Sequence, residues 1–473
     1  MQRLQSLNEG PITRTLLQFA LPILGMNVLQ CLGGTLNAFW VGRYLGEAAL
    51  SAVANAHSIM FLLTGAAFGV AMAASIVVGQ CMGAGKISEA KRVVSTGAIV
   101  LLSLSAAMSI AGSLLAEPLL LAMKTAKESL ALAISYTKVM FLALPILYMY
   151  TYVISMSLGT GDSKTPLLSM VLAVCIGLVF NPLFMFGGGP VPGAGIAGSA
   201  LATLLAQAVS LGVLVQHMYR RRHPLCFYSD DLSLLRVDWP IVRGLLRMGV
   251  PMAAQALVVS SSAVLMIVLV NRFGVETTAA YGASLQLWTY IQLPALAIAV
   301  AVSSMTAQSV GAQNWERVHM AARVGVIYCT LATGVAVLAV YAADGFAYRL
   351  FLPQDSPALL IASQLNRVIM WSLVLLMVAV VLFGVMRATG VVIAPLFIHS
   401  LSLFVVRFPL ALLLLDRWQA DAIWWSFSIS CTLDFVLATL YYRYGGWRTS
   451  GRGELLAERR TAAPERIRGR SAK

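Results

Sequence analysis

Residues 371–386, WSLVLLMVAVVLFGVM, form an apolar run without a charged side chain. They belong to a longer apolar stretch, 360–386, which is long enough to cross a bilayer. A hydrocarbon core of about 30 Å takes roughly 20 residues of α-helix. Similar stretches recur along the 473 residues, of which 59% are hydrophobic and 11% charged. Soluble domains carry about 25% charged residues. The composition therefore predicts an all-α integral membrane protein.

Twelve such stretches are predicted to span the membrane. They lie near 15–39, 48–78, 93–115, 130–156, 165–186, 196–216, 246–270, 279–307, 321–341, 360–386, 391–415 and 422–442. Of the 33 Lys and Arg residues, 24 lie in the two tails and in every second connection, and six lie in the intervening connections. Positively charged connections stay in the cytoplasm. We therefore expect a multi-pass protein of the bacterial inner (plasma) membrane with both termini cytoplasmic, and attribute the net charge of +14 to topology, not to nucleic-acid binding.

The chain repeats itself at a separation of 229 residues. Matches between Leu or Ala residues mean little, but matched Pro, Gly, Gln, Arg and Glu residues are hard to attribute to chance. They include Pro22 with Pro251, Arg43 with Arg272, Glu47 with Glu276, Gly161 with Gly390 and, after a one-residue slip, Gln80 with Gln308 and Gly83 with Gly311. Each half has six spans, so both halves enter from the same side and are parallel repeats.

The predicted fold is therefore two parallel six-helix repeats around a central cavity. We divide the chain into an amino-terminal lobe (1–217), a cytoplasmic linker (218–247), a carboxy-terminal lobe (248–443) and a basic cytoplasmic tail (444–473). Two lobes facing each other are typical of an alternating-access transporter. A duplicated scaffold or receptor is the alternative.

Motifs for catalysis are absent from the sequence. Residues 193–198 match G-x-G-x-x-G, but they follow a Pro-Val-Pro segment and no acid lies about 20 residues further on. Residues 83–86 lack the spacing of a phosphate-binding loop. The six cysteines are scattered and form no metal-binding pattern. The sequence favours a transporter with no cofactor and no metal over a membrane enzyme.

The repeated segments carry family motifs. The matching stretches include Asn37-Ala-Phe-Trp-Val-Gly-Arg43, Gly79-Gln-Cys-Met-Gly-Ala-Gly85, Gly161-Asp-Ser-Lys-Thr-Pro166, Asn181-Pro-Leu-Phe184, Gln308-Ser-Val-Gly-Ala312 and Arg407-Phe-Pro-Leu410. In combination they resemble the multidrug and toxic compound extrusion (MATE) family, nearer its DinF-like branch. The resemblance implies export of small cationic or amphiphilic compounds driven by inward H⁺ or Na⁺. We expect a monomer in contact with membrane lipid and no nucleic-acid partner.

The sequence departs from the family where ions are coupled. DinF-like relatives often carry aspartates where this chain has Asn37 and Asn181. NorM-like relatives carry an acid in span seven, whereas residues 255–262 contain none. An amide cannot act as a base and offers a cation only a neutral oxygen. The family's usual coupling chemistry therefore cannot be transferred, and the choice between H⁺ and Na⁺ stays open.

Polar and aromatic residues inside the spans are candidates for the site. For the cavity and its substrate they are Asn27, Gln30, Asn37, Tyr148, Tyr152, Asn181, Thr203, Tyr281, Ser284, Trp288 and Gln292. Aromatic faces attract cations, while the alternatives are helix packing, hydrogen bonding between helices and an aromatic belt at the interface.

For cation coupling the candidates are Asn37, Asn181, Asp434, His57 and His399. Asp434 is the one acidic residue near the middle of a span. Such a residue is costly there unless it is paired, neutralised or in contact with water. The alternative for Asp434 and for each histidine is a structural role.

Two functions remain compatible with the sequence. The first is secondary-active efflux of lipophilic or cationic compounds by antiport with H⁺ or Na⁺. The second is a flippase for lipid-linked sugars or lipids with the same architecture. A phosphate-bearing substrate requires several inward Arg or Lys residues, whereas only Lys138, Arg367 and Arg407 lie in or at the edge of spans. The sequence therefore favours efflux.

Overall fold

The structure of the protein is a computed structural model. It describes residues 7–123, 125–188, 191–343, 346–349 and 355–450. Most of the predicted basic tail, 451–473, lies outside these residues.

The described residues are almost entirely helical. The first half contains α1 (Ile12–Gly83), α2 (Ile87–Ala122), α3 (Lys127–Gly159), α4 (Lys164–Phe186), a hairpin of β1 (Gly187–Gly188) and β2 (Val191–Pro192), and α5 (Gly195–Arg220). A 3₁₀ turn (Ser229–Leu234) leads to α6 (Trp239–Val270), α7 (Val275–Gly311), α8 (Trp315–Ala342), α9 (Phe346–Arg349) and α10 (Ala358–Ala388). The chain then forms α11 (Ile393–Ser400), a π-helix (Leu401–Arg407), α12 (Phe408–Trp418), α13 (Ala420–Tyr444) and α14 (Trp447–Ser450).

Helix α1 contains two membrane spans. It has 72 residues, which at 1.5 Å per residue corresponds to about 108 Å, more than twice a bilayer. Gly46 interrupts it with φ 82° and ψ −177°, a conformation open only to glycine. Ten further apolar segments among the described residues are long enough to cross a membrane, one of them formed by α11, the π-helix and α12. The prediction of twelve spans is confirmed.

Both described ends of the chain lie on the same side of the bundle. The carbonyl of Leu7 accepts a hydrogen bond from Arg317 Nε at 3.0 Å. The ring of Trp447 contacts His319 at 5.5 Å between centroids. Arg317 and His319 both lie in the first turns of α8, as an even number of spans requires. We call this end of the bundle the terminal face.

The connection between the halves docks onto α2. Lys91 Nζ donates to Asp231 Oδ2 at 2.5 Å. Ser95 Oγ donates to the carbonyl of Leu234 at 2.8 Å. The hydrogen bond from Lys91, supported by the backbone N–H of Tyr228, lowers the pKa of the Asp231 carboxyl. Helix α5 ends at Arg220 and α6 begins at Trp239, while the division into lobes at 217 and 248 stays a prediction.

Replacing Lys91 with Met is expected to release this connection. Because the pKa of Asp231 is lowered in the folded protein, the contact is present at neutral pH and is lost only as the pH falls through that lowered value. Limited trypsin digestion at pH 7 is expected to cut the variant within 220–236 several-fold faster than the wild type. Lys86→Met is the matched control, since Lys86 forms an exposed pair with Glu89 at 3.4 Å that contributes little. Equal digestion of both variants would show that Lys91 does not hold the connection.

Candidate functional site

Two amides and a hydroxyl meet in the first half. Asn37 Oδ1 accepts hydrogen bonds from Asn181 Nδ2 at 3.0 Å and from Ser199 Oγ at 2.5 Å. Thr203 lies one turn further along α5, and its Oγ1 donates to the carbonyl of Ser199 at 3.1 Å. The structure therefore brings together three of the residues proposed from the sequence, and it adds Ser199, which sequence reasoning missed.

This amide cluster is neutral and already largely bonded. The oxygen of Asn37 has two donors, and only Asn181 Oδ1 is buried without a partner. Sodium-sized hard cations prefer several oxygen ligands, and amides do not titrate. The cluster can orient a polar group through Asn181 Oδ1, but its side chains supply neither a base nor a cage for a cation.

The other polar residues of the first span lie at different depths. Asn27 is half-buried, and its Nδ2 is 3.5 Å from the carbonyl of Leu293 in α7, so it joins the two halves. Gln292 is half-buried beside this contact. Gln30 is exposed. Of the polar residues expected on one face of the first span, Asn27 and Asn37 contact other helices. Gln30 has no hydrogen bond to another helix among the described residues.

Tyr148 and Tyr152 differ from the expectation that they line a cavity. Both are buried in the core of the first half. Tyr148 Oη donates to the carbonyl of Leu63 at 2.7 Å, and Tyr152 Oη donates to that of Val94 at 2.9 Å. A tyrosine packed in this way stabilises helix contacts, because its ring is enclosed and its hydroxyl is satisfied.

The aromatic stripe of α7 also belongs to a core. Trp288 is 2% exposed, and its Nε1 donates to Asn366 Oδ1 at 2.9 Å. Tyr281 stacks on Trp424 at 5.8 Å between ring centroids and meets Trp288 edge-on. Ser284 is fully buried between them along the helix. These three residues therefore pack inside the second half and present no open aromatic surface to a flat cation.

A carboxylate and a histidine form a buried pair in the second half. His399 Nδ1 lies 3.0 Å from Asp434 Oδ2, and Asp434 is fully buried. His57, the other histidine proposed from the sequence, is exposed on the second span of α1. The structure thus joins two of the coupling candidates and leaves His57 on the opposite half.

The two halves close on each other at the terminal face through a reciprocal contact. Gln80 Nε2 donates to the carbonyl of Ala388 at 2.8 Å, and Gln308 Nε2 donates to that of Gly159 at 2.9 Å. Gln80 and Gln308 are partners in the sequence repeat, as are Gly159 and Ala388. Each half therefore offers the same donor and the same acceptor to the other half.

Two glycines permit the backbones to approach at this point. A Cβ on Gly83 would overlap the carbonyl of Gln308, and a Cβ on Gly311 would overlap that of Gln80. We call Gln80, Gln308, Gly83 and Gly311 the glutamine closure. The sequence repeat pairs Gln80 with Gln308 and Gly83 with Gly311. A glutamine matched at the end of a span in both halves is the feature from which the closure could have been predicted.

A small cavity lies directly behind the glutamine closure. Its volume is about 90 Å³, which holds only a few waters. It lies between α1, α3 and α7 and is lined in part by Ser75, Ser155, Ser303 and Ser304. Ser75 and Ser303 are another repeated pair. The space between the halves at this level is therefore a small, mostly apolar cavity that contains four serines, and the glutamine closure separates it from the terminal face.

Comparison with known proteins agrees with this architecture. The MatE family model matches residues 22–183 and 251–413, so its two copies begin at Pro22 and Pro251, the prolines that open the repeat. The probable multidrug resistance protein YoeA of Bacillus subtilis (strain 168) is 30% identical over 93% of this chain and 95% of its own length. The FAD transporter of Shewanella oneidensis is 27% identical over 68% of this chain and 70% of its length.

The fold is shared with solved structures. A crystal structure of MATE in the bent conformation superimposes with a TM-score of 0.87 at 19% identity, covering 95% of this chain and 99% of that chain. The predicted all-α fold with twelve spans is confirmed, and the expectation of a transporter instead of an enzyme is confirmed by the family. The DinF-like branch stays a prediction. The chain belongs to the MATE family of multi-pass membrane transporters.

Proposed function

We propose that this protein is a secondary-active antiporter that exports lipophilic or cationic compounds in exchange for H⁺ or Na⁺ by alternating access. The observation that carries the proposal is the reciprocal glutamine closure between the two repeats. The two glutamine bonds close the terminal face, and both join one half to the other. Breaking them lets the halves separate and opens this face while the packing inside each half is retained.

The energy of the closure suits a reversible gate. Hydrogen bonds between helices in a membrane contribute about 0.6 kcal/mol on average and up to about 1.7 kcal/mol. Two such bonds therefore stabilise the closed form by about 1–3 kcal/mol, an amount that differential binding of a substrate or a proton can offset. A scaffold that does not move has no need for weak hydrogen bonds between its halves. The symmetric pair of glutamine bonds therefore favours a transporter over a scaffold.

The substrate class rests on the relatives. YoeA is named a probable multidrug resistance protein, and small molecules are the substrates of such transporters. The aromatic residues that the sequence suggested are enclosed in cores, so they do not support the cation preference. No observation favours the lipid-linked-sugar flippase. We place the protein in the bacterial inner membrane as a monomer among lipids, with the terminal face, which carries both described ends, in the cytoplasm.

Ethidium transport in proteoliposomes tests this proposal. Purified protein in liposomes is given a pH or sodium gradient, and accumulation of ethidium against its own gradient is followed by fluorescence. Concentrative transport that stops when the gradient is collapsed is the expected result. FAD, the substrate in the name of the Shewanella oneidensis relative, is tested in parallel. Gradient-driven movement of FAD without movement of ethidium or any other cationic dye would overturn the proposed substrate class.

A further inference from the structure

We propose that the buried pair His399–Asp434 in the second half is the site at which a proton binds and drives export; this rests on the proposed function. Asn37 and Asn181 carry amides, which do not titrate, so coupling to a proton requires a titratable group elsewhere in the chain. Asp434 is fully buried, and its Oδ2 is held by His399 Nδ1 at 3.0 Å.

One carboxylate oxygen is left open. Asp434 Oδ1 is buried and has no hydrogen-bond partner among the described residues. Burying an ionised carboxylate with one unsatisfied oxygen costs free energy, and this cost falls when the carboxyl group takes up a proton. A single free carboxylate oxygen beside an imidazole is a poor cage for Na⁺, which resembles other hard cations in preferring several oxygens. The pair is therefore suited to a proton.

The pair stands beside a fixed positive charge. Arg407 is 7% exposed, and its Nε donates to Ser430 Oγ at 2.7 Å, one helical turn before Asp434. Its guanidinium also lies over the ring of Phe427 at 4.1 Å. With Asp434 ionised the cluster is neutral overall, and with Asp434 protonated it carries one positive charge. Binding of a proton therefore changes the charge of this part of the second half by one unit.

The elements around the pair carry further ionisable groups. On α10, Phe383 meets the ring of His399 edge-on at 5.0 Å, and Arg387 Nε bonds to the carbonyl of Phe383 at 3.2 Å. On α13, Cys431 accepts from Arg407 at 3.7 Å. The remaining ionisable groups on the packed elements are Arg243 and Arg247 on α6, Arg367 on α10, Asp416 and Arg417 on α12, Asp421, Tyr441, Tyr442, Arg443 and Tyr444 on α13, and Glu276, Tyr281 and Tyr290 on α7, of which Tyr281 interacts with Arg407.

The backbone beside the pair has an uncommon form. Residues 401–407, between His399 and Arg407, form a π-helix, whereas the rest of this span is α-helical. Seven π-helical residues within a span are rare, and such segments occur frequently at functional sites. His399 at one end of this segment contacts Asp434, and Arg407 at the other end contacts Ser430, one turn earlier on α13.

The proton step balances within the pair. A proton from water adds to His399 Nε2, and the proton on Nδ1 passes to Asp434 Oδ2. The imidazole stays neutral with its tautomer exchanged, and the carboxylate becomes a carboxylic acid. Charges act over longer distances in a low-dielectric interior than in water. A cationic substrate between the two halves is therefore favoured when Asp434 is ionised and disfavoured when it is protonated, which is the exchange that an antiporter requires.

Two transport measurements on the same proteoliposomes test this inference. The first is accumulation of ethidium driven by a pH gradient, and the second is exchange of ethidium across the membrane without any gradient. Asp434→Asn is expected to lower the first more than tenfold and to abolish the pH dependence of the second, because an amide can neither take up a proton nor carry a negative charge. Asp421→Asn, an exposed acid in the first turn of the same helix, is the matched control and is expected to retain both.

The outcomes separate the two proposals. Wild-type protein that exchanges no dye would refute the proposed function and leave the pair without a role in it. A second outcome is that the wild type exchanges ethidium and Asp434→Asn accumulates it in a pH gradient as well as the wild type does. This result would overturn the coupling site and leave the proposed function standing. A sodium gradient that drives accumulation in the wild type while a pH gradient does not would also overturn it.

A second variant covers the case in which Asp434→Asn fails to fold. His399→Gln retains a hydrogen-bond donor to the carboxylate but cannot relay a proton. Wild-type protein in weakly buffered detergent is expected to release about one proton per ethidium bound, measured with a pH indicator dye. His399→Gln is expected to bind ethidium and to release this proton at least tenfold more slowly, because a relay sets the rate of proton transfer. Proton release from His399→Gln at the wild-type rate would contradict the relay.

Discussion

Gly83→Ala and Gly311→Ala are each expected to force the terminal face apart and to abolish concentrative transport. The added methyl group would overlap the backbone carbonyl of Gln308 or of Gln80. Backbone atoms inside two packed helices cannot yield as a flexible side chain can, so the halves must separate. Overpacking of this kind costs about 1–3 kcal/mol or more, which is comparable to the whole stabilisation expected from the two glutamine bonds.

Labelling from the terminal side measures this opening. Ser75 and Ser303, which line the cavity behind the closure, are replaced singly with Cys, and alkylation by a membrane-impermeant maleimide is followed. Each glycine variant is expected to raise the rate of labelling at least tenfold. Gly282→Ala on α7 is the matched control, because a Cβ there meets no atom within 4 Å. Unchanged labelling with unchanged transport in both variants would show that the glycines do not set the closed state.

Trp288→Ala is expected to destabilise the protein by about 3–5 kcal/mol, the range typical of removing a large aromatic residue from a core. The substitution empties the space between Tyr281 and Phe427 and leaves Asn366 Oδ1 without its donor. Thermal unfolding in detergent, followed by size-exclusion chromatography, is the measurement. Trp288→Phe retains most of the ring and is expected to cost less, about 1–3 kcal/mol for the lost hydrogen bond.

An exposed tryptophan provides the comparison for this prediction. Trp425, 41% exposed on α13, is expected to tolerate Ala with little change in unfolding temperature. The result that contradicts the core assignment is a Trp288→Ala protein as stable as the wild type that has lost ethidium transport. That outcome would indicate that Trp288 lines the substrate cavity, as its sequence pattern predicts.

The sequence was sufficient for the membrane class and the twelve spans, and it named Asn37 and Asn181 as candidates, which the structure brings into contact. Spans follow from the length of apolar stretches, and the two asparagines were marked by the family pattern. The enclosure of Tyr148 and Trp288 was not predictable in this way. An aromatic residue at helical spacing has the same pattern in a core and in a cavity, and the decision depends on a partner far along the chain, such as the carbonyl of Leu63 or the amide of Asn366.

The pairing of His399 with Asp434 could not be predicted either, because it also depends on a partner far along the chain. The two residues are 35 positions apart on different helices, and the π-helix that follows α11 leaves no signature in hydrophobic periodicity. The glutamine closure was closer to being found. Its residues were aligned by the repeat, but their acceptors, the carbonyls of Gly159 and Ala388, are backbone atoms of the opposite half and carry no sequence signal.

A reversible disulfide across the glutamine closure tests alternating access most directly. A Cβ built on Gly79 lies 3.0 Å from the Cβ of Ala307 in the other half, and a small adjustment reaches the separation of about 3.5–4.5 Å that a disulfide requires. The variant Gly79→Cys/Ala307→Cys, with Cys81→Ala to prevent mispairing, is oxidised in proteoliposomes and assayed for gradient-driven ethidium transport. The account predicts that transport falls below one tenth when the bond forms and returns on reduction, with the reduced protein as its own control. Transport by the fully cross-linked protein at the rate of the reduced protein would contradict it.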